Sequence, residues 1–196
     1  MVLDVGANEG QYARELRGSG YEGKIVSFEP VAAAYAVLAR QAAGDPSWEC
    51  RRHALSDADA EVRIHVSGDS KFSSFLDLRN TRGEYGSAVV ATETVRTLRL
   101  DAIADELLAA DLRVWLKLDV QGHEARVLAG AAATLARLDA VELELSVSPQ
   151  YEGQPAYRDL LDVLESQGFV LAGIDSGFVD EATGRMLEMD AILVRP

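Results

Sequence analysis

Short apolar runs alternate with amphipathic segments along most of the chain, and this alternation limits the folds that the chain can adopt. The apolar runs have the length of buried strands, whereas the segments between them repeat apolar residues at helical spacing. Strands that alternate with helices in this way are typical of a parallel sheet covered on both faces. We therefore predict an α/β fold with a mostly parallel, doubly wound sheet.

The predicted elements follow one another at short intervals. The predicted strands lie at residues 2–5, 24–28, 48–55, 61–66, 94–100, 114–120, 141–147, 169–174 and 190–196. The predicted helices lie at residues 10–18, 31–42, 101–110, 123–138 and 157–168. An irregular linker, not a helix, joins the last two strands, so we expect an antiparallel edge strand there. Residues 67–92 are rich in Gly, Ser, Asp and Asn and are predicted to form a binding loop or lid.

The composition suits one domain over residues 1–196. Hydrophobic residues make up 48% and charged residues 26%, as in soluble globular proteins. The net charge of -13 argues against nucleic acid and anionic membranes as partners, because both attract clustered Lys and Arg. No apolar run has the length of a membrane span, no secretory signal is recognisable, and the single cysteine, Cys50, suits a reducing compartment. We therefore expect a cytoplasmic protein.

Two acids follow the first two predicted strands, and a glycine turn accompanies the first. Asp4 is followed by Gly6, Asn8 and Gly10, and Glu29 ends the second strand. Ligands of open α/β sheets bind at the carboxyl ends of the strands, and an acid at the end of the second strand commonly binds a ribose diol. Taken singly, these residues fit a helix cap, a tight turn and a solvated strand end. Their order and spacing favour a nucleoside-binding site.

The chemistry of the turn distinguishes between nucleoside cofactors. A dinucleotide site typically has the pattern G-x-G-x-x-G, which the stretch DVGANEG lacks. Asp4 would also repel a pyrophosphate, whereas it suits the cationic amino acid part of S-adenosylmethionine. The turn therefore favours a methyl donor over a nicotinamide, and a nicotinamide-dependent oxidoreductase is kept as an alternative class.

Several stretches together carry a family resemblance: LDVGANEGQY, VSFEP, FSSFLDL, LKLDVQGHEARVLAGA, ELSVSPQYEGQPAY and MDAILVRP. They resemble the FkbM family of S-adenosylmethionine-dependent methyltransferases over nearly the whole chain. The resemblance implies a Rossmann-like class I methyltransferase fold. It also implies S-adenosylmethionine as cofactor and O-methylation of a small-molecule or sugar hydroxyl as the reaction.

The resemblance further implies a set of cofactor-binding residues. The glycine turn would line the methionine part of the cofactor, Glu29 would bind the ribose hydroxyls, and residues 54–57 would lie near the adenine. The full set is Asp4, Gly6, Ala7, Asn8, Gly10, Tyr12, Glu29, Pro30, Ala54, Leu55, Ser56 and Asp119.

Two features depart from the family pattern. The family commonly has Glu where this chain has Gln121, within the stretch DVQG. The family also commonly has a segment before the glycine turn, so we expect the domain to be shortened at its N-terminus. A degenerate, non-catalytic binding protein with the same fold is therefore kept as a second hypothesis.

Three side chains are candidate catalytic groups. Methyl transfer to an alcohol requires removal of the hydroxyl proton, which a general base accelerates. Asp119 ends a predicted strand, Glu144 lies in another, and His123 begins a predicted helix whose N-terminus favours neutral imidazole. His123 fits a capping role equally well. Asp119 and Glu144 also have the hard oxygen ligands of a divalent cation, a possibility that their spacing does not favour.

The stretch VELELSV places acids on one face of a strand that should be buried on both. Glu142 and Glu144 share this face, and a buried unpaired carboxylate is costly. We predict that Lys117, on the preceding strand, contacts one of these glutamates; a solvated edge strand is the alternative. Substrate contacts are expected from loops 67–92, 148–157 and 175–189, with Ser73, Ser74, Tyr151 and Tyr157 as candidate residues.

Overall fold

The computed structural model describes residues 1–79, 88–109 and 112–196. Residues 80–87 of the predicted binding loop and residue 110 of the predicted third helix lie outside the described residues. No helix in the described ranges is long and apolar enough to cross a membrane.

Ten strands and five α-helices are found in the described residues, numbered here in chain order. The strands are β1 Val2–Val5, β2 Ile25–Phe28, β3 Trp48–Arg51, β4 Ala54–Leu55, β5 Ala60–Ser67, β6 Val89–Leu98, β7 Trp115–Leu118, β8 Ala140–Ser146, β9 Val170–Ser176 and β10 Glu188–Val194. The helices are α1 Gln11–Gly18, α2 Ala32–Ala42, α3 Leu100–Leu107, α4 Glu124–Ala129 and α5 Tyr157–Ser166. Short 3-10 helices cover Ser70–Phe72 and Thr134–Arg137.

Seven strands form the main sheet in the order β3-β2-β1-β7-β8-β10-β9. The first five run parallel, and β10 runs antiparallel to both β8 and β9, so the predicted parallel sheet with an antiparallel edge is confirmed. From β1 the chain continues to β2 on one side, and β7 fills the other side. The strand order therefore reverses between β1 and β7, which is where open α/β sheets bind ligands.

A second, three-stranded sheet was missed by the sequence analysis. It has the order β4-β6-β5, with β4 parallel and β5 antiparallel to β6. The predicted strand at 48–55 was therefore wrong as one element, because the chain bends after Arg51 and β4 pairs with Thr97 and Leu98 instead of extending β3. The small sheet packs Ile64 and Val95 against Val31 and Ala34, at the start of α2.

The predicted helix at 123–138 is also wrong as one element, because α4 ends at Ala129. A Cβ atom at Gly130 would overlap the carbonyl oxygen of Ser56, so the two backbones touch at this point. A 3-10 helix follows, and the backbone N–H groups of Ala133 and Thr134 at its start donate to the carboxylate of Asp101. The end of α4 therefore contacts the turn between β4 and β5 of the small sheet.

The core lies on both faces of the main sheet. Side chains alternate between the faces along each strand, so β1 and β2 contribute to both layers. On one face, Leu3, Leu116 and Leu143 are fully buried beneath α3, α4 and α5. On the other face, a smaller cluster joins Ile25 and Leu38 with α1 and α2. The second face leaves room for a cavity over β1, β7 and β8.

We predict that Leu143→Ala lowers the free energy of unfolding by about 2–5 kcal/mol, because it leaves a cavity in the larger core layer. Urea denaturation followed by circular dichroism measures the change. The matched control is Leu171→Ala on β9, whose side chain is 43% exposed, and it should cost less than about 1 kcal/mol. Equal losses in the two variants would contradict this description of the core.

Candidate functional site

A row of polar side chains crosses the main sheet beneath the cavity. The strand register places Ser27, Asp4, Lys117 and Glu142 side by side on β2, β1, β7 and β8. Side chains two residues further along a strand lie on the same face. Asp119 therefore adds a further acid at the carboxyl end of β7, on the face that carries Lys117.

The cavity above this row has a volume of about 810 Å³. It extends from the β1 turn and the end of β2, over β7 and β8, to the antiparallel edge strands. A volume of this order is typical of small-molecule and cofactor sites.

The glycine turn after β1 brings the backbone of β1 against that of β7. A Cβ atom at Gly6 would overlap the carbonyl oxygen of Asp119, and Gly6 has a φ of 82°. Asn8 and Gly10 also have positive φ, and Gly10 precedes α1. The turn therefore needs residues that tolerate left-handed backbone geometry, and Gly6 additionally needs to lack a side chain.

Asp4 is buried at the floor of the cavity. Ser27 Oγ donates to Asp4 Oδ2 at 2.8 Å, and Trp48 Nε1 donates to Ser27 Oγ at 3.0 Å. Burial raises the pKa of Asp4 to about 6, although the bond from Ser27 opposes the shift. A cation close to Asp4 would restore the charged form of this carboxyl.

Glu29 is held beside the turn by two backbone N–H groups. Its Oε2 accepts from Asn8 at 2.9 Å and its Oε1 accepts from Val31 at 2.7 Å. Each carboxylate oxygen keeps a second lone pair, with which Glu29 can accept a ligand hydroxyl. Burial raises the pKa of Glu29 to about 7.

Asn8 also presents an acceptor without a partner in the described chain. Its Oδ1 is buried and accepts no hydrogen bond from any described residue, and Asn8 lines the cavity. Buried polar atoms in folded proteins are normally paired. The orphan oxygen therefore fits a site that is completed by a ligand with hydrogen-bond donors.

Lys117 is the buried cation of the polar row. Its Nζ lies 2.7 Å from Asp190 Oδ1 and 3.8 Å from Glu142 Oε1, so the predicted lysine–glutamate contact is confirmed. Glu142 is not solvated, because its Oε2 accepts from Tyr12 at 2.7 Å and from Trp115 at 3.0 Å. Burial opposes the charge of Lys117, but Asp119 and Asp190 outweigh burial and hold its pKa above the usual value.

Asp119 and Glu144 are brought together by Gln121. Its Nε2 donates to Asp119 Oδ1 at 2.9 Å and to Glu144 Oε2 at 2.7 Å. Burial raises the pKa of Glu144 well above its usual range, and the nearby Asp119 adds to the shift. Burial also raises the pKa of Glu188, on β10, to about 7. This end of the cavity therefore holds two acids whose pKa values are raised, Glu144 and Glu188.

His123 lies outside the set of described residues that line the cavity. It is buried at the N-terminus of α4, with Nε2 2.9 Å from Ser56 Oγ and its ring 4.6 Å from the ring of Phe75. Burial lowers the pKa of His123 to about 4. His123 occupies the N-cap position of α4, but its side chain makes no cap hydrogen bond and contacts Ser56 and Phe75 instead of the acid pair.

The remaining predicted site residues divide between the cavity and its support. Those that line the cavity are Asp4, Gly6, Ala7, Asn8, Tyr12, Glu29, Pro30, Ala54, Leu55, Asp119 and Glu144. Gly10 and Ser56 are outside the lining, with Gly10 shaping the turn and Ser56 bonding His123. Ser73 lines the cavity, whereas Ser74 Oγ donates to the carbonyl oxygen of Gln121.

Some lining residues were not named by the sequence analysis, although several of them lie in loops 67–92 and 175–189, from which substrate contacts were expected. They include Gln11 on α1, Phe72 and Phe75 near the first 3-10 helix, Phe178 after β9, and the acids Glu188 and Asp190 on β10. A signal existed for Asp190, because an acid interrupts the apolar stretch MDAILV. The aromatic residues lie in loops, where no periodicity marks which side chains face a ligand.

Asp119 and Glu144 have oxygen atoms of the kind that ligate a divalent cation. Within residues 1–79, 88–109 and 112–196, no group of three or more His, Cys, Asp or Glu is arranged to hold a metal ion. The amide of Gln121 lies between Asp119 and Glu144 and donates a hydrogen bond to each.

Solved structures share this architecture at low sequence identity. Magnesium protoporphyrin IX methyltransferase from Synechocystis PCC 6803, solved with bound S-adenosylmethionine, superposes with a TM-score of 0.55 at 13% identity, covering 100% of this chain and 70% of that chain. The fibrillarin pre-rRNA processing protein of Methanococcus jannaschii superposes with a TM-score of 0.52 at 11% identity, covering 99% of this chain and 65% of that chain. The fold is that of the class I methyltransferases.

Sequence comparison identifies the family. Residues 4–171 match the model of the methyltransferase FkbM domain. The 2-O-methyltransferase NoeI of Sinorhizobium fredii (strain NBRC 101917 / NGR234) is 31% identical over 176 residues, which cover 85% of this chain and 71% of that protein. The chain therefore belongs to the FkbM family of S-adenosylmethionine-dependent methyltransferases, as the sequence motifs predicted.

We predict that Gly6→Ala destabilises the protein by about 2–4 kcal/mol and weakens cofactor binding, because the added methyl group meets Asp119 and strains the left-handed backbone. Thermal unfolding and calorimetry measure the two effects. Gly18→Ala is the matched control: a Cβ atom at Gly18 meets nothing, and alanine is favoured in α1. A Gly6→Ala protein as stable as Gly18→Ala would contradict the close approach of β1 and β7.

The raised pKa values predict how cofactor affinity changes with pH. Asp4 and Glu29, with pKa values of about 6 and about 7, are largely protonated at low pH and must ionise to bind a cation or a ribose diol. Affinity for S-adenosylhomocysteine should therefore rise by about tenfold between about pH 6 and about pH 8. Calorimetry in two buffers of different ionisation enthalpy measures affinity and proton release together. An affinity that stays flat or falls over this interval would contradict the assignment.

Proposed function

We propose that the protein is an O-methyltransferase that transfers the methyl group of S-adenosylmethionine to a hydroxyl of a small molecule or sugar. The observation that carries the proposal is one continuous cavity that joins a cofactor-like half, around Asp4 and Glu29, to the acid pair Asp119 and Glu144. Support for O-methylation comes from the 31% identical relative, which is described as a 2-O-methyltransferase.

The cofactor half has the donor and acceptor groups that S-adenosylmethionine requires. Asp4 and Asp119 lie where their charge favours the ammonium and sulfonium groups, and Glu29 has free lone pairs for the ribose hydroxyls. Asn8 Oδ1 lacks a partner in the described chain and fits a ligand N–H or O–H. When bound, the cofactor supplies an electrophilic methyl group.

Ala54, Leu55 and Phe28 supply an apolar wall of the cavity, which suits the adenine ring. Pro30 and Val31 continue this wall beside Glu29. The wall excludes water from one side of the nucleoside, so the polar contacts of Glu29 operate in a medium of low dielectric constant.

Glu144 is the proposed proton acceptor. It lies on β8, one strand further from the glycine turn than Asp119, so an acceptor molecule over β8 would have its hydroxyl between Glu144 and the methyl group. A carboxyl with a raised pKa is a stronger base once ionised, and the positive charge of the cofactor favours its ionisation. Asp119, on the cofactor side, is the proposed partner of that positive charge.

The acceptor end of the cavity suits a hydroxylated molecule. Asp175, Glu188 and Asp190 provide carboxylate oxygens that accept hydrogen bonds from several hydroxyl groups. Phe178 is 47% exposed and lines the cavity, so its ring can cover an apolar face of a sugar. The net charge of -13 supports a small-molecule acceptor over nucleic acid.

We predict that Glu144→Gln lowers kcat by about 10²–10⁴-fold and leaves the Kd for S-adenosylhomocysteine within about threefold, because it removes a general base and keeps the shape of the site. Methyl transfer from labelled cofactor to a panel of sugars and hydroxylated metabolites provides the assay. Glu165→Gln, an exposed change on α5, is the matched control and should retain wild-type kcat.

Transfer by the wild type that Glu144→Gln retains in full would contradict the proposed base. Cofactor binding without transfer to any hydroxyl acceptor would support the second hypothesis, a non-catalytic binding protein, and would contradict the proposed function.

A further inference from the structure

Gln121 lies at the centre of the hydrogen bonds that reach both acids of the site. Its Nε2 donates to Asp119 at 2.9 Å and to Glu144 at 2.7 Å, and its Oε1 accepts from the hydroxyl of Tyr151 at 2.9 Å. A primary amide has two N–H donors, so one is used for each carboxyl.

The orientation of the amide is determined by its surroundings. Reversing the amide would turn its oxygen toward the oxygens of Asp119 and Glu144 and would remove the donor that Asp119 now has. Tyr151 is 3% exposed, and its backbone N–H donates to Gln154 Oε1 at 3.2 Å, which holds the tyrosine in place. The main chain is held as well, because Ser74 Oγ donates to the carbonyl oxygen of Gln121 at 2.7 Å.

Two carboxyl groups that share a small buried space normally share a proton or a cation, because their charges repel. Here the neutral amide supplies one donor to each carboxyl and adds no charge. It also joins side chains from two neighbouring strands, since Asp119 follows β7 and Glu144 lies on β8. The amide therefore sets the separation of Asp119 and Glu144, between which the cofactor and the acceptor meet in the proposed function.

We propose that Gln121 is a positioning residue whose amide clamps Asp119 and Glu144 in one arrangement, with Tyr151 holding the amide in place. The inference rests on the proposed function, in which Glu144 accepts the hydroxyl proton and Asp119 faces the cofactor. Gln121 also lines the cavity, and in this mechanism it acts through the two carboxyl groups.

The first test replaces the amide with an isosteric carboxyl group. Gln121→Glu should lower kcat by about 10–100-fold, with the KM for the acceptor and the Kd for S-adenosylhomocysteine within about threefold, because a carboxyl group has at most one donor and the amide has two, so at least one of the two acids loses its hydrogen bond. Tyr151→Phe, which only frees the amide to turn, should lower kcat by a smaller factor of about 3–10. Gln41→Glu, the same change at an exposed position of α2, should retain wild-type kcat.

A second test measures the effect of the clamp on thermal stability and needs no methyl transfer. Gln121→Glu should lower the Tm by about 3–10 °C, because three carboxyl groups then converge. The exchange variant Gln121→Glu/Glu144→Gln has one amide and two carboxyl groups in the cluster, as the wild type has, and the same net charge as the wild type. It should therefore recover most of the lost Tm. It should not recover kcat, because the proposed base is gone.

The two tests separate the clamp from the proposed function. A wild type that transfers no methyl group contradicts the proposed function. In that case the clamp is still tested by the Tm of the exchange variant, compared with the Tm of Gln121→Glu. Wild-type kcat and Tm in Gln121→Glu would overturn the clamp. An exchange variant no more stable than Gln121→Glu would also overturn the clamp. Losses of kcat and cofactor affinity in equal proportion, in both Gln121→Glu and Tyr151→Phe, would overturn it as well.

Discussion

The backbone of β1 touches that of β7 at Gly6, and the rest of the site depends on this contact. A side chain at residue 6 would overlap the carbonyl oxygen of Asp119, so the two strands can end together only if residue 6 is glycine. The contact places the turn that carries Asn8 beside the strand end that carries Asp119. One cavity can therefore hold a nucleoside at the turn and a second molecule over β7 and β8. The strand order reverses at this same point.

Burying so many acids in one cavity requires compensation, and the structure supplies it in three forms. Lys117 neutralises charge directly through Asp190 and Glu142. The amide of Gln121 and the N–H groups around Glu29 provide donors without charge. The rest of the negative charge is relieved by protonation, as the raised pKa of Asp4 indicates, until a cation binds. The cofactor of the family carries that cation, so its binding and the ionisation of the acids support one another.

The sequence predicts the parallel sheet and most of the residues that line the cavity around Asp4 and Glu29, because these depend on local patterns. Glycine at the turn and acids at strand ends are recognisable one residue at a time, and Asp4 and Glu29 do lie in the cavity. The small second sheet and the break at Gly130 depend on contacts between distant backbones, which periodicity does not record. The lining of the cavity over β8 and β10 was predicted less well for the same reason. Asp190 contacts Lys117 from the antiparallel strand, and His123, a candidate by residue type, packs against Phe75 instead.

The cofactor site is tested most directly by calorimetric titration of S-adenosylmethionine into the wild type and into Glu29→Ala, with Glu22→Ala as the exposed control. We expect the wild type and the control to bind equally well. We expect Glu29→Ala to lose affinity by about 10–100-fold, because hydrogen bonds to a charged carboxylate are lost. No binding by a well-folded wild type, or equal binding by all three proteins, would contradict the cofactor site described here.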